Sequence, residues 1–395
     1  MKMWLRSCIS HAAPALLWLF VAQGFAANSG GPHYVVTNDD VPIYYLSGVT
    51  FYTVGPGGVL TLTQQVPALG TGTAGGYFAA NRIVALDSGG AQCVYASQAF
   101  SGNIVGISVA TLEVGGSASG SPADTGASNG IGLTLNAQYL YAGFTDSSNI
   151  GTFQIQSGCG LSFVGDTPVL GLQGGIISGM AVHGDMLVAT YNDGSVESFN
   201  VSSGMPVSNG DEQNSSAYFS SRGATYPNGV DISQDGHFAI FGDTATSTVV
   251  EVSDISSGRL AKTAVYTLAS IPNSSNVMLS PDETLLYISN SQGDRVTAAS
   301  FDAATGILSS PCTSPRLRNY VSSFSYLASL ALESTTGNGG VLYVAEFGSP
   351  SSAIAMVAIA SSGGKCSLSE LSASPVSDPN SGALLSIIAF PPRPF

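Results

Sequence analysis

Basic side chains are scarce in this 395-residue chain: Lys and Arg total 11 against 25 Asp and Glu, and charged residues of either sign make up only 9%. A protein that grips a phosphate backbone does so with clustered Lys and Arg. The one close pair here is Arg316 with Arg318, so nucleic-acid binding is excluded. Histidine is equally sparse, at four, and the five cysteines carry no CxxC spacing and no paired His, so neither a metal nor any other cofactor is expected. Missing too is an apolar run of the ~20 residues that cross a bilayer. The longest candidate, Ala12 to Ala22, follows Lys2 and Arg6 and precedes Gly24 Phe25 Ala26 Ala27. It reads as an export leader spanning residues 1–26, cleaved after Ala26 or Ala27, with no membrane insertion afterwards. Helical periodicity is rare beyond it, and the Gly clusters precede strands rather than helices, which removes the phosphate-cradling helix terminus.

What is abundant is glycine, 48 residues, accompanied by Ser, Asn and Thr, the residues of tight turns. With 44% hydrophobic residues the chain has enough apolar material for a core, so this richness does not signal disorder. Beyond the leader nine basic residues face 25 acidic ones, a formal charge of 9 − 25 = −16, the signature of a soluble exported protein and not of any one partner.

The segment Ser280 Pro281 Asp282 Glu283, then Leu286 Tyr287 Ile288 Ser289 Asn290, then Val296 to Leu308, recurs in variant form. Aligned on Tyr287, the copies fall at Val35, Tyr95, Tyr141, Val188, Ile240, Tyr287 and Tyr343, with gaps of 60, 46, 47, 52, 47 and 56 residues. Each copy reads as four short strands joined by turns, and a repeat of roughly 40 to 50 residues with four strands is a β-propeller blade. The expected fold is all-β: a seven-bladed propeller of four-stranded antiparallel blades forming a single domain over 27–395. A β-sandwich or an open solenoid is the rival. The first copy starts at its second strand, Tyr34 to Asn38, whereas the last is followed by an additional apolar strand, Ala383 to Phe390; that C-terminal strand is expected to close the first blade. The runs Gly115 to Gly130 and Gly204 to Gly223 are expected to be loop excursions.

Four cysteines lie beyond the leader, Cys93, Cys159, Cys312 and Cys366, and allow three pairings. Cys93 and Cys159 fall near one face of adjacent blades and are favoured; four free thiols are the alternative.

Tyr34 Val35 Val36 Thr37 Asn38 and Leu286 Tyr287 Ile288 Ser289 Asn290 resemble the YVTN repeat of bacterial surface and secreted seven-bladed propellers. That superfamily also holds lactonase-like (6-phosphogluconolactonase-type) and carboxymuconate-cyclase-like enzymes, in which a Pro-His motif and an Arg-His pair enter first strands and supply acid/base and anion-binding groups. The corresponding stretches here read Tyr226 Pro227 Asn228 Gly229 Val230 and Ser274 Ser275 Asn276 Val277. An amide cannot exchange a proton near neutral pH. Asp243 matches the acidic residue that the resemblance places after a second strand.

Second strands end where the loops between blades enter first strands, so their last residues are expected to ring one mouth of the channel. That column holds Asn38, Gln98, Phe144, Tyr191, Asp243, Asn290 and Glu346, with Asn129, Asn228, Ser275 and Asn276 at first-strand entrances. Such a rim offers amide hydrogen bonds and ring stacking to a small polar molecule, a sugar or a protein; alternatively, these residues simply cap turns. Asp243 and Glu346, two blades apart, are the candidates for catalysis by carboxylates. His33, His183 and His237 fall in turns or near the mature N-terminus, the latter two as solvent-facing residues on the opposite face. Asp231 is an acid within a first-strand pattern, where the alternation can point it into the channel; it is a candidate ligand contact, with a solvated channel residue as the plainer reading. The function expected is a secreted, non-catalytic binding or interaction protein, with a lactonase-like enzyme and a structural envelope protein as alternatives.

Overall fold

The computed structural model describes residues 33–39, 47–68, 70–71, 81–88, 90–119, 132–144, 148–169, 177–211, 213–214, 227–261, 263–318, 326–332, 340–347, 352–362, 365–378 and 384–393. Their strands form seven antiparallel sheets, here blades I to VII, each running from an inner strand a to an outer strand d. Blade VI is typical: Ser274–Leu279, Leu285–Asn290, Arg295–Asp302 and Ile307–Thr313. The inner strands touch in sequence around the ring, and the seventh, Tyr326–Leu332, packs against Leu384–Phe390. This last strand is strand a of blade I, hydrogen-bonded to Tyr34–Asp39 from Tyr34↔Phe390 onward. The ring is therefore closed by the C-terminal strand, as the two ends of the sequence imply.

Why the repeat is legible follows from burial. Strand b lies between neighbouring blades on both faces, so Leu285–Asn290 is buried at all six positions. The seven residues on which the copies align are all 0% exposed. Outer strands instead face water; Leu60–Pro67 is exposed at six of eight positions and reads as Thr and Gln. The turn before strand b is made by side chains: Ser280 Oγ donates to Asp282 Oδ1 at 2.7 Å and accepts from Leu285 N at 3.0 Å. Ser233 and Asp235 repeat this in blade V. Two of the four tyrosines of the repeat join blades, whereas the hydroxyls of Tyr95 and Tyr287 are buried without a partner. Tyr141 and Tyr343 each donate a 3.0 Å hydrogen bond to the turn of the following blade, at Gly204 O and Gly58 O.

Two details depart from seven equal blades. Strand d of blade IV is split into Val207–Ser208 and Gln213–Asn214. Between them the Asp211 carboxylate accepts from Ser198 N and Oγ and from Leu260 N of blade V, replacing the missing ladder. Blade VII has an additional short strand, Val376–Ser377. Of the two Gly-rich runs, the first begins inside a strand, Glu113–Ser119, and 120–130 lies outside the described residues, as does 215–223 of the second. Cys93 is bonded to Cys159 and Cys312 to Cys366, with Cα separations of 5.6 and 5.8 Å. The favoured pairing is present, and the second bridge joins blades VI and VII.

Candidate functional site

Strands a enter the ring at one end, the entrance, and turn into strands b at the other, the exit. Strands a of several blades pair with strand b through a bulge at the entrance, seen at Asn228/Val230, Ser274/Asn276, Ile177/Gly179 and Leu327/Leu330. In blade V the bulge is made by Gly229, whose φ is +62°, and a Cβ there would meet Ser275 O at 2.6 Å. Serine hydroxyls tie four of the inner strands to the next. Ser178 donates to Pro227 O at 3.1 Å, Ser275 to Leu327 O at 3.1 Å and Ser329 to Ile387 O at 3.4 Å; Arg82 N in turn donates to Ser386 Oγ at 3.0 Å.

The column expected to ring the entrance mouth is at that end, but its side chains are buried, because strand b stands one strand away from the channel. Asn38, Gln98, Phe144, Tyr191, Asp243 and Asn290 are 0% exposed and Glu346 4%. Asn38 donates to Ser97 O at 2.8 Å and accepts from Gln98 Nε2 at 3.1 Å, which joins blades I and II. Asn290 donates to Thr297 Oγ1 and accepts from Thr248 Oγ1 of blade V. Tyr191 donates to Glu197 Oε2 at 2.9 Å. Beside Asp243 is Glu251 of strand c, also 0% exposed; burial, reinforced by the Asp243 charge, pushes the Glu251 carboxyl up to about 9. For Asn38, Tyr191 and Asn290 the arrangement is a set of hydrogen bonds between strands and blades. Asn129 lies outside the described residues.

The open space is in the channel itself. A cavity of about 220 Å³ is lined by strands a of all seven blades, among them Ile83, Leu135, Val182, Val230, Val277, Leu330 and Ile388. Of the candidates, it takes in Asn276 and Asp231. Asn228 is half-buried at the bulge above, outside the cavity wall. Most of the lining side chains are apolar, but Asn81, Thr134 and Asn276 are set among them and the wall offers polar and apolar surface in similar amounts.

The floor of this cavity, at the exit end, carries its charge. Asp231 does line the channel, but as a paired residue and not as one held by solvent alone. Its carboxylate accepts from Ile232 N at 2.9 Å and from Leu279 N of blade VI at 2.8 Å. Arg393 meets the same two oxygens with Nη1 at 3.1 Å and Nη2 at 3.2 Å. Its guanidinium also donates to Ile232 O at 2.7 Å and Leu279 O at 3.4 Å. His183 lines the same floor, half-buried rather than solvent-facing; burial and then the Arg393 cation hold its imidazole below the ordinary value, so it is neutral at neutral pH. Arg393 stands outside the residues that the sequence singles out. The available signal was a basic residue, rare in this chain, just after Pro391 Pro392 where the closing strand ends.

Chemically, the floor pairs one acid with one base. Two Nη atoms carry four N–H donors, and all four are engaged, which leaves only Nε for a ligand. Among the described residues no group of three or more His, Cys, Asp or Glu could hold a metal ion.

A family model described as "Lactonase, 7-bladed beta-propeller" matches residues 93–380. Among solved structures, a functionally unknown protein from Desulfotomaculum acetoxidans DSM 771 aligns at 14% identity and a TM-score of 0.65, over 92% of this chain and 100% of that one. A proposed 6-phosphogluconolactonase from Bacteroides fragilis NCTC 9343 aligns at 12% identity and a TM-score of 0.65, over 91% and 99%. Another, from Bacteroides uniformis ATCC 8492, reaches 13% and 0.52 over 72% and 85%. These identities carry the fold alone, and no curated protein matches. With well over half of the chain matched and the ring of seven four-stranded blades complete, the chain belongs to the seven-bladed lactonase-type β-propeller family.

Proposed function

We propose that this lactonase-family propeller is an exported, non-catalytic binding protein that takes a small molecule into its central channel. What carries the reading is the cavity of about 220 Å³ on which the inner strands of all seven blades converge. It is smaller than the 300 to 1,000 Å³ common for ligand pockets, so it suits a compact, sugar-sized ligand with an apolar side. Asn276 gives that ligand a polar contact. Export is supported by the leader-like residues 1–26 and by two disulfides, which persist in oxidising compartments.

A lactonase-like hydrolase is the second reading, and family membership favours it. Against it stand the residues where the resemblance puts proton-exchanging groups: Asn228, Ser275 and Asn276, with the Ser275 hydroxyl engaged between blades. Were the protein an enzyme, His183 would be the proton-exchanging side chain at the cavity. The test is a panel of sugar lactones incubated with purified protein at constant pH, with His183→Gln, Asp243→Asn and Glu346→Gln run in parallel. No turnover, together with a thermal shift from a small ligand, is the expected result. Turnover lost in any one of the three variants overturns the binding reading. Mass spectrometry of the secreted protein, expected to begin at residue 27 or 28, tests export.

A further inference from the structure

The exit end of the channel carries a recognition site that the chain itself fills. Asp231 is held by two backbone N–H groups, from Ile232 of its own strand and Leu279 of the next blade, which fix the plane of its carboxylate. The carbonyls of those same two residues lie beside it. Two carboxylate oxygens and two carbonyl oxygens thus present four acceptors converging on one planar donor fork, and the Arg393 guanidinium meets all of them at 2.7 to 3.4 Å. Both side chains are about four-fifths buried, at 22% and 20% exposed.

The route taken by Arg393 makes this more than a surface ion pair. The chain leaves strand a of blade I at Phe390, passes Pro391 and Pro392, and lands on blades V and VI. Blade V is three steps from blade I by the shorter way round, the greatest separation a ring of seven permits. The two prolines bring no N–H to pair with a sheet, so this strap is tied across the mouth by its arginine. Among the described residues, His183 and Glu283 feel the charges of both Asp231 and Arg393. Glu283 is an acid and burial holds His183 below its ordinary value, so among the described residues the guanidinium is the cation at the site.

We infer that Asp231 with the carbonyls of Ile232 and Leu279 forms a guanidinium-binding site, occupied in cis by Arg393, that accepts an alkylguanidinium or an arginine side chain when Arg393 is removed. An ammonium is a poor substitute, because its three tetrahedral donors cannot serve four acceptors lying near one plane. The inference does not depend on what the cavity above binds.

The test uses the full-length chain carrying Arg393→Ala. Its melting temperature is expected to fall by several degrees. Millimolar ethylguanidinium should restore it along a saturating curve, while ethylammonium at the same concentration and ionic strength should not. The restoration should vanish when Asp231→Asn is added. An equal response to both cations, a response that survives Asp231→Asn, or a variant that melts like the parent would overturn the inference. Arg393→Lys, which keeps the strap and the charge, provides a second arm: calorimetric titration is expected to show at least a tenfold preference for ethylguanidinium over ethylammonium, and no preference overturns the idea. A Phe-Pro-Pro-Arg peptide that binds more tightly than ethylguanidinium assigns the site to arginine-bearing chain segments; equal binding assigns it to small guanidinium compounds.

Discussion

Glu251 makes the stability of this propeller fall with rising pH, and replacing it should remove that dependence. Its side chain is fully buried in strand c of blade V, and neither carboxylate oxygen has a hydrogen-bond partner. Burial, then the charge of Asp243, raise it from an ordinary value of 4.5 to about 9. The folded chain therefore binds a proton that the unfolded chain releases between those two values. The stabilisation is complete below the unfolded value and is lost as pH rises through the folded one. Within that window the slope is about 1.4 kcal/mol per pH unit, hence about 2.8 kcal/mol between pH 6 and pH 8. At ~2.1 cal/mol/K per residue for roughly 360 residues, the entropy of unfolding is about 0.75 kcal/mol/K, and the loss corresponds to about 4 °C. Glu251→Gln has the shape of the protonated acid and cannot ionise. The measurement is the melting temperature of both proteins from pH 6 to pH 8 at fixed ionic strength. Asp39, whose carboxyl is also raised by burial and by Asp378, titrates in both proteins, so only their difference is read. The parent is expected to lose about 4 °C relative to the variant over this range. Curves that run parallel would refute the reasoning, because Glu251 would then be ionised and solvated in the fold.

Gly229→Ala places a Cβ at a φ of +62° and 2.6 Å from Ser275 O, and should cost about 3 kcal/mol in denaturant unfolding; Gly90→Ala, at a φ of +83° but with nothing within 4 Å, should cost only about 1. Tyr343→Phe removes the hydrogen bond to Gly58 O and should cost about 1 kcal/mol. Tyr287→Phe deletes a buried hydroxyl that has no partner and should be neutral or stabilising, so a comparable loss from both would undo the account of the repeat tyrosines.

The architecture was legible because strand b is buried on both faces, which makes Val35, Tyr95, Tyr141 and their counterparts apolar at a regular spacing. Ring closure was legible from complementary ends. The site was not, for two physical reasons. The column from Asn38 to Glu346 has the polarity of a binding rim, but polar groups that bridge buried strands have the same polarity; only exposure separates them, and exposure depends on strand a standing in front. The floor of the channel, in turn, unites Asp231 and Arg393, 162 residues apart, through a strap with no periodicity. Asp231 was visible as an anomaly in an apolar strand. Its partner was not, since nothing in local pattern says where a chain lands after it leaves a sheet.

The inner strand of blade I, Leu384–Phe390, is synthesised after its partner, Tyr34–Asp39, and after all six other blades. Until it arrives, strand b of blade I presents an unpaired edge. A product that stops before Leu384 would retain six complete blades and a permanent seam. Geometry thus acts as a proofreading step: only a chain extended to Phe390 hides this edge, and a shorter one displays to proteases and to other chains the backbone groups that mark it as unclosed.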